Sequence, residues 1–174
     1  MTTKLQPSLQ DQSPALITDS LGYNLYRYQF NAMPVLLGWG LGSLAAGLVW
    51  MRSSSQWLRG LGGQFVGWGA IDGLIAGFAL RGAERNAARL AGGEISPAVH
   101  DQQAVQFERI VWLNAVLDIG YLAGGLWLLR RGANQPNRRG MGLGVLIQGA
   151  FLFVWDILLA SCAQRQRQNT RHDS

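Results

Sequence analysis

The chain has 174 residues, of which 48% are hydrophobic and only 14% are charged. Soluble domains carry about 25% charged residues, so the composition disfavours a soluble globular domain. The formal net charge is +5, but the arginines flank apolar runs and form no continuous basic stripe, which argues against nucleic-acid binding. A single cysteine, Cys162, excludes an intrachain disulfide and a cysteine-cluster metal site.

The N-terminal region is polar and lacks an early apolar core, so it is not a secretory signal peptide. Residues 1–15, with two prolines, are predicted to form a disordered tail. Residues 16–31 contain three tyrosines and one arginine, which favour a helix lying in the headgroup region before the chain enters the membrane. An extended lead-in to the first span is the alternative.

Four apolar runs follow, each about 20 residues long, which is enough to cross a bilayer's hydrocarbon core as a helix. Short links after the first and third runs predict antiparallel neighbours. The fold predicted is therefore an all-α, antiparallel four-helix transmembrane bundle with an interfacial N-terminal segment, and residues 16–162 form one membrane domain. The spans are expected at about 33–51, 61–80, 110–129 and 141–162, before a basic tail at 163–174 that is expected to fray.

The connection at 81–109 is the long one. It is rich in charged residues and is interrupted at Gly92–Pro97, which predicts two helical extensions joined by a turn. We call the side that carries this connection and both termini side A, and the side that carries the two short links side B. The basic residues of the connection are read as a solvated face or, alternatively, as a docking surface for a partner.

Glycines recur at every fourth position within the spans. Such small-residue stripes allow membrane helices to approach closely. Helix packing is therefore predicted at Gly69, Gly73 and Gly77 of span two and at Gly120 and Gly124 of span three.

Three aspartates lie inside the apolar spans: Asp72, Asp118 and Asp156. A charged aspartate at the centre of a membrane helix costs about 2.5–3.5 kcal/mol on insertion scales, so each needs a compensating partner or a function. Counting residues from the span ends places all three about 9–12 Å below the side A surface. Three helices thus contribute carboxyl groups to one layer of the bundle.

The aspartates are accompanied by further polar and aromatic side chains. Three interpretations stay open: structural pairing across helices, a site that binds or passes a small cation, a proton or a protonated amine, and catalysis or redox chemistry. Aromatic rings beside carboxylates suit an ammonium group, through charge and cation–π attraction. The candidate ligand site comprises Asp72, Asp118, Asp156, Gln64, Asn114, Gln148, Tyr121 and Trp68.

Catalysis has little support in the sequence. The two histidines, His100 and His172, both lie outside the spans, and no phosphate-binding loop, nucleophile elbow or histidine-rich metal motif is present. We therefore expect a non-enzymatic protein without cofactor or metal. Its expected partners are the lipid bilayer and, in addition, a second copy or a larger membrane complex. A scaffold or accessory subunit, with purely structural aspartates, is the alternative to a ligand site.

Spans two to four resemble a family of small, uncharacterised bacterial four-span membrane proteins. The stretches that carry the resemblance are W-G-A-I-D at 68–72, N-A-V-L-D-I-G-Y-L-A-G-G at 114–125 and R-G-M-G-L-G-V-L-I-Q-G-A-F-L-F-V-W-D at 139–156. The resemblance implies a four-helix integral membrane protein of the bacterial inner membrane and implies no known activity.

Basic residues flank both ends of the spans. Side A carries more of them, which favours cytoplasmic termini under the positive-inside rule, although the dense arginine pairs of side B pull the other way. The side A residues are Lys4, Arg27, Arg81, Arg85, Arg89, Arg109, Arg165, Arg167 and Arg171, and those of side B are Arg52, Arg59, Arg130, Arg131, Arg138 and Arg139.

Overall fold

The computed structural model describes residues 23–172, and within that range the chain forms four long helices and no strand. All four are long and apolar enough to cross a membrane, which confirms the predicted all-α four-span bundle. The predicted tail at 1–15 and the start of the N-terminal segment lie outside the described residues. The helices are α1 (Leu25–Met51), α2 (Gln56–Ala91), α3 (Pro97–Arg131) and α4 (Pro136–His172).

Polar caps begin the first three helices. The Asn24 side chain accepts hydrogen bonds from the backbone N–H groups of Tyr26 and Arg27, and Ser55 and Ser96 cap α2 and α3 in the same way. The break between α2 and α3 falls at residues 92–96, as the sequence predicts. Gly93 adopts a φ of +74° there, which only glycine tolerates without strain, so the chain can reverse in a few residues.

The helices pack in the order α1, α2, α4, α3. Helix α2 packs against α1 on one side and α4 on the other, and α3 packs mainly against α4. Helices α2 and α3 are sequence neighbours, yet their backbones stay apart along the bundle. A seam between these two helices is therefore the least closely packed part of the described bundle.

Glycines set the closest crossing, which joins α1 and α2. A Cβ atom on Gly69 would lie 2.6 Å from the Gly40 carbonyl oxygen, and one on Gly62 would lie 2.7 Å from the Gly47 carbonyl oxygen. The two contacts are seven residues apart on each helix, which is the repeat of antiparallel helices that pack at a shallow angle. Backbone contact at this distance is available only to glycine.

The glycines predicted to pack behave differently from one another. Gly69 lies in the α1 crossing, and the backbone of Gly73 approaches Gly40 to within 2.7 Å of that glycine's Cβ position. Among the described residues, Cβ positions on Gly77, Gly120 and Gly124 have no neighbouring heavy atom within 4 Å, so these three glycines make no close helix contact there.

Large apolar side chains cover the outside of the bundle. Val49 of α1, Phe78 of α2, Val116 of α3 and Val154 of α4 are each more than half exposed. A soluble protein rarely exposes apolar surface on this scale, whereas a bilayer solvates it. The exposed belt supports the assignment of these helices as membrane spans.

The helices extend beyond the spans on side A and form a second small core there. Tyr23, Leu25 and Tyr26 pack against Leu90 of α2 and Ala104 of α3. The described part of the N-terminal segment thus continues directly into α1, and its residues Tyr23, Leu25 and Tyr26 are buried against the other helices. Tyr23 and Tyr26 therefore have apolar neighbours in the side A extensions of α2 and α3.

A buried ion pair joins α3 and α4 in the same region. Arg167 donates two hydrogen bonds to the Glu108 carboxylate, at 2.7 and 2.9 Å, and lies 3.9 Å from Asp101. The tail expected to fray from residue 163 is instead helical through His172, because this pair and the buried Ala163 hold it against the bundle. Glu108 is buried as well.

His100 joins α3 to the start of α1. Its Nε2 atom accepts a hydrogen bond of 3.1 Å from the Leu25 backbone N–H, one of the donors that a helix start leaves without a partner. His100 lies in the side A extension, outside the apolar span at 110–129. Burial lowers the pKa of the imidazole below its usual value and favours the neutral form, which can accept this bond.

Candidate functional site

A cavity of about 340 Å³ lies within the bundle on the side A half of the spans, beside the seam between α2 and α3. All four helices contribute to its wall. The lining is mostly apolar, including Met33 and Leu36 of α1 and Leu152 of α4. Several lining residues, such as Ile71 and Leu117, are also exposed on the outer surface, so the cavity opens sideways towards the lipid.

The three intramembrane aspartates all line this cavity. They are almost completely buried, with exposed fractions of 2% for Asp72, 3% for Asp118 and 8% for Asp156. Their carboxyl groups are close enough to interact electrostatically: Asp72 with Asp118, and Asp156 with both. The structure thus brings together, at one cavity, acidic side chains from three different helices.

Contacts between α2 and α4 give the relative depth of two of the aspartates. Gly144 of α4 lies against Gln64 of α2, and the two helices run parallel towards side A. Asp72 is eight residues beyond Gln64, and Leu152 is eight residues beyond Gly144, so Asp72 and Leu152 lie at the same level. Asp156, four residues beyond Leu152, lies about 6 Å nearer side A.

The contact between α3 and α4 gives the depth of the remaining aspartate. Gly149 lies against Tyr121, and α3 runs antiparallel to α4. Three residues along each helix, Asp118 is level with Leu152 and therefore with Asp72. The three carboxyl groups thus occupy a layer about one helical turn deep.

Polar atoms in this layer lack partners. The Oδ2 atoms of Asp72 and Asp118 are buried without a hydrogen-bond partner among the described residues, and so is the Nε1 donor of Trp155. An unsatisfied buried polar group costs about 1–3 kcal/mol, and more where the group is charged. Two acceptors and one donor therefore border the cavity without being used by the fold.

Asn114, Tyr121 and Trp68 also line the cavity, as the candidate site requires. The rings of Trp68 and Tyr121 meet edge to face, with centroids 4.9 Å apart. This contact joins α2 to α3 at a level that is nearer side B than the aspartates are. The Trp68–Tyr121 contact closes the seam at that level. Beside the aspartates, no ring contact between lining residues joins α2 to α3.

Gln64 and Gln148 do not line the cavity, in contrast to the site predicted from the sequence. Gln148 is fully buried; its Oε1 accepts from the Trp39 indole at 2.7 Å and its Nε2 donates to Ser43 Oγ at 3.1 Å. It therefore ties α4 to α1 as a structural group. The Gln64 side chain packs on Gly144, away from the aspartates.

Two structural polar groups, Trp39 and Glu108, were not predicted from the sequence. The Trp39 indole donates a hydrogen bond to the Gln148 side-chain oxygen and stacks on Phe151, with ring centroids 3.9 Å apart. Glu108 forms the ion pair with Arg167. The position of Glu108 just before the third apolar run was the available signal, because a carboxylate there must be either solvated or paired.

Among residues 23–172, no group of three or more histidine, cysteine, aspartate or glutamate side chains is arranged to hold a metal ion. Bare divalent cations need several oxygen ligands within about 2.6 Å. The cavity instead combines these carboxyl groups with a mostly apolar wall.

The fold and the cavity define a multi-pass membrane protein with four helical spans and a polar site within the bundle. The chain belongs to DUF6992, a family of unknown function whose profile matches residues 35–157. The matched range includes all three aspartates and most of the cavity. No curated protein and no solved structure matches the chain.

Proposed function

We propose that this protein is a non-enzymatic membrane protein whose lateral cavity binds a small organic cation, such as a protonated amine. The observation that carries the proposal is the pair of buried, unpartnered carboxylate oxygens of Asp72 and Asp118 at the cavity. A cationic head between them would supply the partner that the fold does not.

The walls of the cavity favour an apolar body on the same ligand. Most of its lining is aliphatic or aromatic, and about 340 Å³ is within the range of sites for small organic molecules. The rings of Trp68 and Trp155 lie at the same cavity, where an aromatic face can attract a cation. Charge and apolar surface together select an amphiphilic amine over a hydrated inorganic ion.

The route to the cavity follows from the packing order. Because the backbones of α2 and α3 stay apart beside the aspartates, the cavity opens between them towards the hydrocarbon. An amphiphilic amine that has partitioned into the bilayer can enter sideways through this seam.

Binding of hexylamine, with 1-hexanol as an uncharged molecule of similar shape, tests the proposal. Purified protein in neutral detergent should show a rise in melting temperature and a change in tryptophan fluorescence with the amine and not with the alcohol. The double variant D72N/D118N should lose both responses, whereas E84Q, which removes an exposed side A carboxylate, should keep them. An unchanged amine response in D72N/D118N would refute the proposal.

A second candidate role is that of a scaffold that packs against another copy or a partner subunit. The observation in its favour is that Gly120 and Gly124 lie exposed on α3, with no neighbour at their Cβ positions. A bare small-residue surface in a membrane suits a helix–helix contact between chains. Leucine at both positions should then reduce the oligomer measured by light scattering, and an unchanged mass distribution would remove this candidate.

A further inference from the structure

Side B carries an arginine face, which consists of Arg52, Arg59, Arg130, Arg131, Arg138 and Arg139. All six side chains are exposed. They lie in the two short links and in the helix ends beside them, so the short length of these links concentrates them at one end of the bundle. The face holds six of the chain's fifteen basic residues.

No acidic side chain of residues 23–172 accompanies these arginines. The seven acids of that range either line the cavity or lie on side A, where Glu94 pairs with Arg89 and Glu108 pairs with Arg167. The arginines of side B have only backbone oxygens and a tryptophan ring as recorded partners: Arg52 and Arg59 donate to carbonyl groups, and Arg131 lies over Trp127. Their charge is therefore not neutralised within this region.

The helix starts add to the positive field of the face. Helices α2 and α4 begin side by side: a Cβ on Gly60 would meet the Asn137 carbonyl, and one on Gly140 would meet the Trp57 carbonyl. Neither helix has an acidic residue in its first turn. Arginines at 59, 138 and 139 thus occupy positions where the helix dipole disfavours a cation, a cost that an external anion would offset.

The face lies at the level of the membrane surface. Exposed apolar side chains of the lipid belt come within a few residues of it, at Leu48 and Val49 of α1 and at Leu126 and Trp127 of α3. Arginine's planar group binds phosphate through paired hydrogen bonds. The anion that a bilayer presents at this depth is the lipid phosphate, together with any further negative charge on the headgroup.

We infer that the arginine face binds the headgroups of anionic phospholipids in the adjacent leaflet. Its six charges are arranged around the ends of four membrane helices instead of along a groove, so lipids at the rim of the bundle meet them directly. This binding is independent of the cavity, which lies in the other half of the bundle.

Lipid binding to the purified full chain tests the inference. Phosphatidylglycerol and phosphatidylcholine are titrated in neutral detergent, and bound lipid is counted by native mass spectrometry. The variant R59Q/R138Q/R139Q should bind phosphatidylglycerol about 100-fold more weakly, because each basic residue near an anionic surface contributes a factor of about five. The control R81Q/R85Q/R109Q removes three exposed arginines from side A and should change the affinity far less.

Three results would overturn the inference. They are equal binding of the two lipids by the wild type, an equal loss in the side B and side A variants, and full displacement of phosphatidylglycerol by millimolar inorganic phosphate. The last would show a site for a free anion instead of a lipid surface. Unchanged helical circular dichroism and melting temperature in phosphatidylcholine confirm that both variants fold.

Discussion

Alanine at Gly69 and alanine at Gly77 should have opposite effects on stability, although both glycines belong to the same four-residue stripe of α2. A Cβ on Gly69 would lie 2.6 Å from the Gly40 oxygen and 2.6 Å from the Leu44 nitrogen. These are backbone atoms, so relief requires α1 and α2 to move apart by about 0.8 Å, up to the 3.4 Å at which ordinary contact begins. A Cβ on Gly77 meets nothing within 4 Å.

The magnitudes follow from two opposing effects. Replacing glycine by alanine in a helix favours folding by about 0.8–1.0 kcal/mol, and overpacking a tight contact costs about 1–3 kcal/mol. G77A should therefore be as stable as the wild type or more stable by up to about 1 kcal/mol. G69A should be less stable than G77A by about 1–3 kcal/mol, which is the overpacking cost alone.

Reversible unfolding in mixed micelles, followed by circular dichroism, measures both free energies under the same conditions. Comparing two alanine variants on one helix cancels the difference in helix propensity, so the remaining difference reports the crossing. Equal stability of G69A and G77A would refute the close α1–α2 contact on which the fold description depends.

Three further predictions concern polar groups outside the cavity. E108Q should lower the free energy of unfolding by about 1.5–3 kcal/mol in the same assay, because it replaces the charged partner of the part-buried Arg167 guanidinium by a neutral amide and leaves only the longer contact with Asp101, at 3.9 Å. Between pH 8 and 5 the wild type should lose thermal stability relative to H100Q as the pH falls below about 6.5, because burial lowers the pKa of folded His100 and the unfolded chain therefore binds the proton more readily. Identical pH profiles of the two proteins would contradict this prediction. Q148L should cost about 1–3 kcal/mol by leaving a buried indole N–H and a buried hydroxyl unpaired, and a neutral result would show that these two bonds are not needed.

The sequence was sufficient to predict the spans, because an apolar run of bilayer length has few other uses. It was also sufficient to select Asp72, Asp118 and Asp156, since a carboxylate in such a run is expensive. Their common depth could be estimated by counting, because a helix rises by a fixed distance per residue. Each of these inferences depends on one helix at a time.

Contacts between helices could not be predicted in the same way, because each of them depends on two helices at once. Gln64 and Gln148 are both amides on the same helical line as an aspartate, and only the neighbouring helix decides that Gln148 meets Trp39 while Gln64 meets Gly144. A glycine stripe likewise indicates a surface capable of close contact without indicating which surface is used. The burial of Glu108 depends on Arg167, 59 residues away.

The loosely packed seam between α2 and α3 is related to the contacts that α2 makes with the other two helices. Gly62 and Gly69 of α2 contact α1, and the first turns of α2, around Gly60, contact α4. In the described bundle these contacts of α2 are made with α1 and α4, while α3 packs its Gly125 against α4. The aspartates of α2 and α3 therefore border the same cavity without being pressed into a helix contact that would pair them. A bundle stabilised through three tight interfaces can retain an unsatisfied acidic layer at the fourth, and that layer is the proposed binding site of the cationic ligand.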